Sequence, residues 1–124
     1  ILKELKRGDE YYVLGISKFT PHFERFVIHF HNKRARLGIK CKIIVNETAK
    51  NIGKKLEPLK FTNVRYLKRE LFTPVVFIIY KEKTLISIGL DEIFIQITSK
   101  NLANGMRAYA KYMYSIGKKR TELP

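Results

Sequence analysis

The sequence predicts an α/β domain built on a mixed, largely parallel sheet covered by helices. Three observations predict it. Short runs rich in β-branched and aromatic residues recur at 10–17, 39–46, 63–68, 75–80, 85–88 and 93–98. Between and after them lie segments with apolar residues at helical spacing, the longest starting at Pro21 and at Ser99 or Asn101. The 124 residues suffice for one hydrophobic core and one domain.

Residues 1–9 are short, charged and partly helical in pattern, with Ile1, Leu2 and Leu5 able to share a face. The run 10–17 (EYYVLGIS) reads as a central strand, and Gly15 permits a turn or a close approach near its end. Thr20 and Pro21 supply an N-cap and a first helical residue, and Gly38 supplies a left-handed stop. Phe23, Phe26, Phe30 and Leu37 form the expected buried stripe of that helix. A strand–helix–strand unit of this length implies that 10–17 and 39–46 run parallel. A short helix over 47–56 follows, begun by Asn46 or Thr48 and ended before Pro58. The run 63–68 alternates and suits an edge strand. Asp91 and Glu92 mark a turn before the last strand. The last helix is expected to bury Leu102, Met106, Tyr109 and Met113, to pack closely at Gly105 and to stop at Gly117. Residues 118–124 read as a charged tail.

The stretch 73–90 (TPVVFIIYKEKTLISIGL) organises the rest. Its runs 75–80 and 85–88 flank the polar Lys81-Glu82-Lys83-Thr84, which suits adjacent strands joined tightly. The first run is apolar at nearly every position and belongs in the middle of a sheet. Pro74 fits only at its start. This stretch resembles the core hairpin of the phospholipase D fold. Active members carry His-x-Lys, four residues, Asp, and a strand ending in Gly. With Gly89 on that Gly, Val75 falls at the His position, Phe77 at the Lys position and Glu82 at the Asp position. Over about 9–117 the chain is similar to the effector domain of archaeal TrmB-like transcriptional regulators, a phospholipase D-like half without that chemistry. The resemblance implies a non-catalytic regulatory module that senses an effector, dimerises, or does both. It makes 1–9 the stump of a connector, 10–117 the domain, and an upstream module the reader of DNA. It also implies sugar sensing, yet the chain has no Trp to serve as a sugar platform. Val and Phe can neither attack phosphorus nor neutralise its oxygens, so no catalytic residue is assigned. A residual phosphodiesterase is the alternative within this fold.

The net charge of +14 is spread over both halves of the chain. Such a globule attracts polyanions, which makes a basic nucleic-acid-binding domain a second reading, one that demands steep salt dependence. The single cysteine, Cys41, rules out an internal disulfide and suits the cytoplasm. No apolar run reaches the length of a membrane span. The three histidines and Cys41 lack the spacing of a metal site, and no nucleotide-binding motif or other cofactor signature is present.

Two sets of candidate binding residues emerge. In open α/β sheets ligands bind beyond the carboxyl ends of strands, which points to Gly15, Ser17, Lys18, Asn46 and Thr48. Alternatively the resemblance places a lost active site near Val75 and Phe77, and the two placements coincide only if the sheet is mixed there. The second set, His22, Arg25, His29, Asn32 and Arg36, lines one flank of the first helix. It could meet phosphates or an acidic partner, or be a solvated helix face. Tyr112 and Tyr114 on the last helix suggest a homodimer.

Overall fold

The computed structural model describes residues 2–17, 20–71, 74–88, 91 and 93–124. Strands β1 (Glu10–Ile16), β2 (Lys40–Asn46), β3 (Thr62–Leu67), β4 (Val76–Tyr80), β5 (Lys83–Ile88) and β6 (Ile93–Thr98) form one six-stranded sheet in the order β3-β2-β1-β4-β5-β6. Helices α1 (Pro21–Arg36) and α2 (Lys50–Leu56) lie on one face and α3 (Lys100–Ile116) on the other. The 75–80 run is an interior strand, as its unbroken apolar character requires.

The sheet is mixed, but the expectation of a largely parallel one is corrected. β1, β2 and β3 are parallel, whereas β1–β4, β4–β5 and β5–β6 are antiparallel. For β4–β5 and β5–β6 the reason is connection length. Two residues, Lys81 and Glu82, join β4 to β5, and four join β5 to β6; only antiparallel neighbours can be linked that tightly.

Alternation along the strands builds two cores. Tyr11, Val13, Ile43, Val45, Val64 and Tyr66 face α1 and α2. Tyr12, Ile44, Leu67 and Ile79 face α3, where Ala103 and Ala110 let the helix approach. Ile43, Ile44 and Val45 are all fully buried, which makes β2 the hub. Each such side chain contributes roughly 1.5–3 kcal/mol relative to an exposed one.

Local signals place the helix ends. Thr20 Oγ1 accepts from Phe23 N at 3.2 Å, Pro21 opens α1, and Gly38 (φ +74°) ends it in the left-handed region. Ser99 Oγ accepts from Leu102 N at 3.2 Å to start α3, and Gly117 caps its end. The 47–56 segment is not one helix: Glu47–Ala49 forms a 3-10 turn and α2 follows.

Several expected packing surfaces move. Of the stripe expected for the first helix, Phe26 (59% exposed) and Leu37 (43%), the residue that caps α1, are not core; His31, Arg34 and Ala35 are buried instead. On α3, Tyr109 faces solvent. Gly105 meets nothing, since a Cβ there would have open space. Tyr112 is exposed, while Tyr114 lies against the sheet, its ring 4.8 Å from Arg65 Cζ and 5.1 Å from Lys42 Nζ. The terminal segments are tied down. Leu5 is buried and Glu4 pairs with Lys83. Lys118 exchanges two backbone hydrogen bonds with Tyr66 (2.8 and 2.9 Å), and Arg120 pairs with Glu57 at 3.0 Å.

Candidate functional site

The bulge in β1 shapes the site. Gly15, at φ +100°, is skipped in the pairing with β2, so Leu14 pairs with Ile44 and Ile16 with Val45. Without the skip, Ile16 would point to the α3 face by strict alternation. With it, Ile16 joins Val13 on the α1 face.

There the two residues help to line a cavity of about 380 Å³ between α1 and strands β4 to β6. Val76 and Ile78 of β4, Leu85 and Ser87 of β5, and Phe94 of β6 form its floor. Phe23, Phe26, Val27, Phe30 and His31 of α1 form its other wall. The aromatic stripe of α1 thus lines an open hollow rather than closing a core. Phe23 stacks on Phe26 (ring centroids 6.0 Å apart) and sits 6.2 Å from the Phe94 ring. Phe26 and Phe94 are more than half exposed and mark the mouth.

Among the described residues, His31 and Ser87 are the ones that bring polar side chains to this wall. His31 is 3% exposed, and its Nδ1 lies 3.1 Å from Arg34 Nη2. Arginine can only donate, so Nδ1 accepts and the proton of the neutral ring is on Nε2. Burial, with the Arg34 charge beside it, pushes the His31 pKa down to about 3. Arg34 is wholly enclosed, and its Nη1 donates to the carbonyls of Ile39 (3.3 Å), Phe61 (3.2 Å) and Lys60 (3.4 Å). Ser87 is 4% exposed, and its Oγ has no hydrogen-bond partner among the described residues.

The mixed sheet brings the two sequence-derived placements together. β4 runs antiparallel to β1, with Leu14 opposite Phe77, so the start of β4 lies at the carboxyl end of β1 and β2. Val76 is on the cavity wall; Phe77 points to the α3 face; Glu82 sits in the turn at the far end of the sheet. Of the rim candidates, Gly15 acts through the bulge, and Ser17 is buried just after Ile16. Asn46 spends its side chain locally: Nδ2 donates to Lys68 O (3.2 Å), and Oδ1 accepts from Thr48 N (3.0 Å) and Oγ1 (2.7 Å). Thr48 lines a separate shallow polar groove with Lys50 and Arg69. Lys18 lies outside the described residues, as does Gly89. On the helix flank, His22, Arg25, His29 and Arg36 are exposed. Asn32 donates to Ile28 O at 2.9 Å, and the middle of the row borders the Glu24–Lys55 ion pair.

The α1 wall of the cavity was not foreseen from the sequence, which placed Phe23, Phe26 and Phe30 in the core. The signal that could have found it is the crowding of three phenylalanines on one helix together with Ser87 inside an apolar strand. Among the described residues, no three metal-ligating side chains gather around one point, and no helix is long and apolar enough to cross a membrane. Burial pushes the Cys41 thiol up to about 12 and so keeps it protonated.

These features define a three-layer α/β domain with a carbon-lined pocket at one end of a mixed sheet. No protein-family model matches the chain, and no curated protein matches it.

Proposed function

We propose that this chain is a non-catalytic regulatory module, the effector-sensing and dimerising domain of an archaeal, cytoplasmic transcriptional regulator of the TrmB-like kind on a phospholipase D-like half. DNA would be read by a module upstream. The observation that carries the effector half is the cavity on the α1 face, at the end of the sheet where the resemblance puts a lost reactive centre. Its size falls in the range of small-molecule sites, roughly 300–1,000 Å³. Its chemistry selects the effector. Carbon surface with the Ser87 hydroxyl, which has no partner among the described residues, suits an apolar molecule with one hydrogen-bonding group. A sugar, with a hydroxyl on nearly every carbon, would lose more hydration there than Ser87 could replace.

Titration with the neutral apolar dye phenylnaphthylamine tests this. Saturable binding with a blue-shifted emission is expected, and Val27→Trp, which fills the hollow from α1, should abolish it while the fold is retained. Equal dye binding by both proteins would overturn the assignment. The absence of turnover of a generic phosphodiester is the companion expectation, and turnover that survives purification and follows the protein would contradict the non-catalytic reading.

A further inference from the structure

The two edges of the sheet are treated differently. The β3 edge is closed by the chain itself, through the Tyr66–Lys118 backbone pair. Among the described residues no strand lies beyond the β6 edge, and every residue of β6 is exposed. Its α3 face is wholly apolar, with Ile93, Ile95 and Ile97 (44, 47 and 36% exposed), and its α1 face carries Phe94 (54%) beside Gln96 and Thr98. Edge strands with free backbone groups and an apolar face pair with other chains unless charge, proline or a bulge blocks them. β6 contains none of these.

The register shows which backbone groups are free. Ser99 N donates to Glu82 O at 2.9 Å, which continues the pairing of Ile97 with Thr84, Ile95 with Ile86 and Ile93 with Ile88. Antiparallel partners alternate between bonded and non-bonded pairs. The odd-numbered residues of β6 therefore bond to β5, and the N–H and C=O of Phe94, Gln96 and Thr98 point away from the sheet.

Charge then selects the partner. The protein carries +14, and most of its surface repels a second copy. β6 is uncharged, preceded in sequence by Asp91 and Glu92 and followed by Lys100. Antiparallel pairing of the strand with itself sets the acidic end of one copy opposite the Lys100 end of the other, twice.

We propose that the free edge of β6 pairs antiparallel with β6 of a second copy of this chain, joining two sheets into one across a two-fold axis. The axis lies at residue 95 or 96, the two symmetric registers that give the longest overlap with matching faces. In either, Ile95 meets an isoleucine of the other copy. Such an isologous contact closes at two. The inference rests on the dimerising half of the function proposed above and is independent of its effector half.

Sedimentation velocity over a dilution series of the 124-residue chain tests it, with circular dichroism to check the fold. A dimer is expected. Ile95→Lys, at a position half exposed in the single chain, should weaken it by about tenfold or more. Asp91→Lys and Lys100→Glu should each weaken self-association, and an equimolar mixture of the two should recover it, because the mixed pair restores both opposite-charge contacts. A dimer indifferent to Ile95→Lys, or swapped charges that fail to recover in mixture, would overturn the β6 assignment while leaving dimerisation standing. A monomer at every concentration would overturn both.

Discussion

His31 and Arg34 form a buried polar pair in which only one member can carry charge. Arg34 donates to main-chain carbonyls and to His31 Nδ1. Protonation of His31 would set a second cation against it without water. The folded-state pKa of about 3 lies below the ordinary 6.5, so between these values the unfolded chain binds a proton that the folded one refuses. Stability is therefore unaffected by this group above pH 6.5 and falls as pH drops below it, by about 1.4 kcal/mol for each pH unit down to the folded value. Thermal melts from pH 7.5 to pH 5 should show this loss, about 2 kcal/mol by pH 5. In His31→Gln, whose amide oxygen can still accept from Arg34, the loss should shrink by that amount; parallel pH profiles would contradict the account. Neither residue was legible as core. Arg and His on a helix read as solvated, and the carbonyls of Ile39, Lys60 and Phe61 that meet Arg34 come from loops, those of Lys60 and Phe61 remote in sequence.

At the scale of elements, the boundaries of α1 were legible because Thr20, Pro21 and Gly38 each act on their own backbone. Its orientation was not, because the phenylalanines and the His31–Arg34–Ala35 row compete for the sheet, and sequence alone favours the greasier set. Gly105 on α3 misled in the same way: a glycine inside a helix suggests close packing, and here it faces open space. Gly53 on α2 is the glycine that does permit close approach. A Cβ there would lie 2.0 Å from Tyr66 Oη and 2.6 Å from Cζ, and the hydroxyl is held by Glu57. Gly53→Ala should gain up to about 1 kcal/mol in helix propensity and lose about 1–3 kcal/mol to overpacking, for a net loss in urea unfolding. A net gain in stability would show that α2 can slide off β3 at little cost.

Across the whole molecule, the α/β class and the interior place of β4 followed from strand composition, whereas the direction of β4 against β1 did not. That direction depends on how the chain returns after β3, and residues 68–75 carry no periodicity to reveal it. Its consequence is functional: strand ends that a largely parallel sheet would hold apart meet at one end, beside a hollow that α1 leaves open. The cavity arises from this mismatch of helix and sheet, and no single residue run announces it. Methyl spectra of isotope-labelled protein titrated with phenylnaphthylamine show whether the hollow between α1 and the sheet takes an apolar ligand. Shifts are expected to concentrate at Ile16, Val27, Val76, Ile78 and Leu85, with Ile44 and Ile79 on the opposite face unmoved. Shifts centred on Ile79 and Met106, or scattered over both faces, would contradict that placement.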